Sequence, residues 1–312
     1  MTQDGIATLA GWGGRWVVTA GVAICAGAVT FQMFILPRVN FGPVPAAQVR
    51  RQLTTRATRL GGTGAVLVVV GAGLRLWEQA RTFADPYEPL ADEMSLLVFG
   101  TSWGFGWIGQ IAAGALAAGA FWLARRESAI RAETGWFLAL LAVVALAFAP
   151  AMVSHALVSE HFVVPGVVAH VIHVVAASVW IGSLAVIGWV ATDLGKWPGR
   201  RLPVGWLVST VAAFSPLALG CAVVLAATGA FASWLHVREP ALLFSDPYGQ
   251  RLLAKLALVC VMAGFGFWNW RRARGRIAES GRLPRQVWVE LGLALAILGV
   301  TASLVVTPPP AH

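Results

Sequence analysis

Four of the six histidines fall within residues 152–182, MVSHALVSEHFVVPGVVAHVIHVVAASVWIG: His155, His161, His170 and His173. Imidazole is the commonest metal ligand, and His170 and His173 stand three apart, which on a helix puts them on one face. Met152, one turn before His155, adds a thioether to this set. Imidazole together with thioether favours copper over magnesium or calcium. A single histidine near a helix end is more often an interfacial or packing residue than a ligand. Four within nineteen residues, against two in the rest of the chain, argue for a metal centre.

The segments that must position these side chains are long and apolar. The chain is 58% hydrophobic and only 12% charged, and stretches of about 20 apolar residues are each enough to cross a hydrocarbon core. Eight are legible, at about 15–36, 60–80, 97–124, 136–157, 166–192, 206–235, 249–271 and 286–306. Backbone groups inside lipid must be satisfied within their own segment, so the expected fold class is all-α, a polytopic bundle of eight transmembrane helices. The connections are too short for a water-soluble domain, so residues 1–312 read as a single integral membrane domain.

The net charge of +9 is distributed by topology and gives no sign of nucleic-acid binding. Arg38, Arg50, Arg51, Arg56 and Arg59 follow the first span. Further basic groups lie at Arg125–Arg131, Lys196–Arg201 and Arg271–Arg285, in alternate connections. By the positive-inside rule those connections are cytoplasmic and both termini extracytoplasmic. The histidines then lie on the outer side. His155 and His161 are at the rim, and His170 and His173 lie inside the fifth span, with His173 about 10 Å below its start near Pro165. Arg75 and Lys255 lie near enough to external helix ends to snorkel. Glu290, one turn into the last span, either pairs with the arginines of 271–285 or forms a cytoplasmic-side ion station.

Laying the third span on the seventh aligns Gly104 with Gly249, Gln110 with Lys255 and Arg126 with Arg271 without gaps. The expectation is a 4+4 parallel internal repeat, two similar halves related by an axis along the membrane normal. Cys25, Cys221 and Cys260 all lie in apolar spans without CxxC spacing and read as small buried hydrophobes. The connections hold no nucleophile–base pair, phosphate-cradling loop or carboxylate dyad, so the chain is not expected to be an enzyme.

The run HVIHVVAASVWIGSL, then FSPLALGCAVVLAATGAF, DPYGQRLLAKLALVCV and VELGLALAILGVTASLVVTPPP, resembles the CopD family of bacterial inner-membrane copper resistance proteins. Tyr248, Gly249, Leu252 and Lys255 carry the most specific part of that likeness. Residues 136–312 are the CopD-like helices four to eight. Residues 1–135, helices one to three, resemble the family more loosely. The resemblance implies a multi-pass protein of the inner membrane that moves copper from the periplasm toward the cytoplasm. In it His155 and His173 are the candidate ligands, and Glu290 is a family-like acid of the last helix. A CopC-like periplasmic copper-binding protein is the implied partner, since no soluble copper-binding domain is present. Relatives often carry an acid where this chain has His170, which preserves a donor but changes its charge. Two other readings remain: a b-type haem electron-transfer protein, with histidines as axial ligands, and a copper-delivery or assembly factor for a membrane oxidase.

Overall fold

The computed structural model describes residues 3–41, 46–83, 87, 89–126, 128–151, 163–192, 204–236, 241–280, 285–305 and 307. Among the described residues every regular element is helical. In chain order these are α1 (Gln3–Thr30), α2 (Ala46–Phe83), α3 (Leu90–Phe99), α4 (Ser102–Leu123), α5 (Ala129–Ala151), α6 (Val163–Thr192), α7 (Val204–His236), α8 (Leu242–Ser245), α9 (Pro247–Ser280) and α10 (Arg285–Val305). Eight of them, all but the short α3 and α8, are long and apolar enough to cross a membrane. They match the eight spans read from hydropathy.

Two boundaries differ from the expectation, each for a local reason. The second helix begins at Ala46 rather than about residue 60. Its first turns carry Arg50, Arg51, Arg56 and Arg59, which hydropathy discounts but which are good helix formers. The third span does not run unbroken through 97–124. The Gly100 N–H closes α3 on the Leu96 carbonyl, and Thr101 turns extended at φ −122° and ψ 151°. Its Oγ1 then accepts from the Gly104 N–H at 3.0 Å, capping α4. At the end of α1 a π-helical turn (Phe31–Ile35) leads into a 3-10 turn at Leu36–Arg38. Pro37 there has no N–H with which to continue the helix.

α1 is the centre of the packing. Gly14 and Gly21, seven residues apart, lie against Gly71 and Gly64 of α2. A Cβ on Gly14 would stand 3.0 Å from the Gly71 carbonyl oxygen, and one on Gly21 2.6 Å from that of Gly64. Small residues allow this backbone approach, and in lipid such close packing is a main source of helix association. Farther along, Gly27 meets Gly182 of α6. Indole donors tie other neighbours together: Trp16 Nε1 to the Leu295 carbonyl of α10 at 3.1 Å, and Trp107 Nε1 of α4 to the Ala72 carbonyl of α2 at 2.9 Å.

The order of neighbours is paired. α1 lies against α2, α5, α6 and α10, while α6 lies against α7, α10, α1 and α5 and also touches α2. α2 meets α4 as α7 meets α9, and α4 meets α5 as α9 meets α10. Packing is uneven between these sets. Of the most apolar stretch of each helix, 67% is buried for α1, against 17% for α7 and 11% for α9.

Candidate metal centre

Pro165 sits in the first turn of α6, where its missing N–H costs nothing, and an unbroken Val/Ala/Ile run carries the helix past both internal histidines. Val168 and Ile172 are exposed, as lipid-facing residues are, whereas Gly166 and Ala176 are buried. His170 and His173 are half-buried between these faces. The second ring points into the protein: His173 Nδ1 lies 2.8 Å from Thr228 Oγ1 of α7. Gly229 flanks the same ring, since a Cβ there would stand 3.8 Å from His173 Cε1.

Two cationic or basic groups act on this ring. Lys255 of α9 and His170 both lie within electrostatic range of His173. Lys255 is half-buried. It therefore takes part in the surroundings of His173, where the sequence suggested only snorkelling to the interface. An ammonium at that position would oppose the loading of a metal cation on His173.

The remaining sequence candidates separate into two groups. His155, His161 and Met152 lie outside the described residues. Glu290 is half-buried on α10. Two residues before it, the Trp288 ring would stand 3.4 Å from a Cβ on Gly188 of α6. Gly188 is fifteen residues beyond His173, about 22 Å along the helix. Glu290 thus belongs to the end of the bundle away from the histidines. Among the described residues no three His, Cys, Asp or Glu side chains gather into a cluster, and His170 with His173 is the donor pair α6 supplies.

The sulfur groups are dispersed. Cys25 is fully buried, with its Sγ 3.4 Å from the Gly61 carbonyl. Cys221 is buried and Cys260 exposed, and all three thiols are free. Met262 is 3% exposed among Ala23, Ile181, Ala294, Ile297 and Leu298, between α1, α6, α9 and α10.

Sequence reasoning missed two features. Thr228 lies inside the Gly/Ala-rich run AATGAF, where a hydroxyl in an apolar span is its only signal. Arg75 does not simply snorkel. Its Nη1 donates to Gln110 Oε1 at 3.1 Å, its guanidinium lies 5.9 Å from the Trp103 ring centre, and Arg15 pairs with nearby Glu78 at 3.8 Å. This second polar cluster joins α1, α2 and α4.

Comparison with known proteins bears on both halves of the chain. Residues 208–304 match the family described as Copper resistance protein D, and residues 6–163 match the one described as Copper resistance protein D-like, N-terminal domain. A protein of Bacillus subtilis (strain 168) named Copper transport protein CutJ is 29% identical over 213 residues. That stretch covers 68% of this chain but only 38% of the Bacillus protein. No solved structure matches the chain.

Proposed function

The chain belongs to the copper resistance protein D family, and from that premise we propose that this multi-pass membrane protein binds copper at the histidine end of α6 and moves it toward the end marked by Glu290. With the arginine-rich connections cytoplasmic, the histidine end faces the periplasm and the membrane is the bacterial inner membrane. Copper is cargo in this reading, and the protein catalyses no bond-making reaction. A CopC-like periplasmic protein would deliver the ion, and His155, His161 and Met152 would complete the donor set.

One observation carries the proposal: inside a membrane-crossing helix, an imidazole is turned toward a protein hydroxyl instead of toward lipid. Ionisable groups in such a place are costly and are kept for function. The nearness of His170 supports it, as does the name of the Bacillus relative, a copper transport protein. The paired order of neighbours supports a 4+4 duplication in which the His173 surroundings in α6, α7 and α9 correspond to the Arg75–Gln110 cluster in α1, α2 and α4. In this reading His173, Thr228 and Lys255 belong to the second half, while Met152 and His155, which follow α5 in the sequence, would add donors from the first.

The test is copper binding to purified protein in lipid nanodiscs, by competition with a chelator, followed by uptake into proteoliposomes. We expect tight binding by the wild type and its loss in His173→Ala, with the variant still folded and monodisperse. Unchanged affinity in that variant would overturn the assignment. Binding without flux would reduce the protein to a delivery factor, and a Soret band would replace copper with haem.

A further inference from the structure

Thr228 Oγ1 lies 2.7 Å from the carbonyl oxygen of Val224, one turn earlier in its own helix, and 2.8 Å from His173 Nδ1. A hydroxyl has one proton to donate, and a carbonyl oxygen only accepts. The short contact to Val224 therefore uses the Thr228 proton, as threonine commonly does within helices. Toward His173 the same oxygen has only lone pairs left. The ring must then donate, with its proton on Nδ1.

That assignment fixes the rest of the imidazole. A neutral ring protonated at Nδ1 carries its lone pair on Nε2, the atom farther from the backbone. Hydrogen bonding of the second nitrogen is the usual way a protein sets tautomer and ring orientation for a metal-binding histidine. Here the acceptor comes from α7, so the ring is held by the contact between two helices rather than by its own. The residue next to Thr228 is Gly229, which leaves the Cε1 edge of the ring free of any side-chain atom from that position.

We propose that Thr228 is the positioning residue of the copper site: through the Val224-anchored hydroxyl it holds His173 as the Nδ1–H tautomer and presents Nε2 to the metal. This rests on His173 being a copper ligand, and the test separates the two claims. Metal-free protein in bilayers, with histidine labelled with nitrogen-15, is compared by solid-state NMR with His173→Ala to identify the His173 signals. Under mildly alkaline conditions the wild type should show a protonated Nδ1 and a bare Nε2. Thr228→Val should lose that signature and bind copper about 10- to 100-fold more weakly. Thr228→Ser, which restores the same acceptor, should recover both.

If His173→Ala binds copper as the wild type does, the underlying site is wrong. If that variant loses copper while Thr228→Val keeps both tautomer and affinity, this inference alone fails. It fails too if Thr228→Val weakens copper with the tautomer unchanged, or if Thr228→Ser rescues neither. Should Thr228→Val not fold, the wild-type spectrum still decides, because a proton on Nε2 overturns the proposal.

Discussion

Gly27 and Gly182 meet backbone to backbone where α1 crosses α6, and a Cβ on either would penetrate the other helix. This crossing joins the best-packed helix of the protein to the one that carries both internal histidines. Neither side has a flexible side chain that could move away. Gly182→Ala would meet the Ala23 carbonyl and Gly27→Ala the Gly182 backbone. Each should destabilise the fold by about 1–3 kcal/mol, the usual range for overpacking. Thermal unfolding in detergent checks this, with Gly220→Ala as the control, since a Cβ at Gly220 has nothing within 4 Å.

Lys255 should act as a brake on copper loading. Replacing it by Leu removes the charge that acts on His173 and adds no sulfur donor. We expect Lys255→Leu to bind copper about tenfold more tightly, about 1.4 kcal/mol, a modest share of the Coulomb energy between nearby charges in a partly screened site. Equal chelator competition curves for Lys255→Leu and wild type would show that the ammonium does not reach the metal.

Gln110 is 1% exposed and accepts the hydrogen bond of Arg75 Nη1. Gln110→Leu fits the space but leaves that guanidinium donor unsatisfied. The expected cost is about 1–3 kcal/mol, read as a lower unfolding temperature, with copper affinity unchanged because the cluster lies in the first set of helices.

Thr101 caps α4 through its hydroxyl. Thr101→Ala should cost about 1 kcal/mol, and Thr101→Ser close to nothing. Unfolding midpoints for the pair distinguish loss of the cap from loss of the methyl group.

What could be read in advance follows from which forces act locally. The eight spans were legible because burial in lipid is a property of each segment alone. The break before α4 was also written in the chain, as Gly100 followed by Thr101, but a continuous apolar run hid it. The start of α2 was hidden by its own arginines. His173 could be singled out by residue type, yet its partner Thr228 is 55 residues away, and no local pattern joins them. By sequence alone Arg75 and Lys255 read as interfacial, because snorkelling requires only a helix end nearby. The Gln110 partner of Arg75, and the field that Lys255 exerts on His173, come from helix packing that periodicity does not encode.

The uneven seating of the helices bears on how a cargo site of this kind could change access. α7 and α9 have little protein around them, so a tilt or slide of either swaps one apolar surface for another at small cost. α1 has no such freedom, since its glycines interlock with α2 and α6. In the proposed transport cycle, motion that uncovers His173 would fall on the α7–α9 side, working against a fixed post. Bilayer thickness and acyl-chain order, which press directly on those two helices, would then enter that cycle.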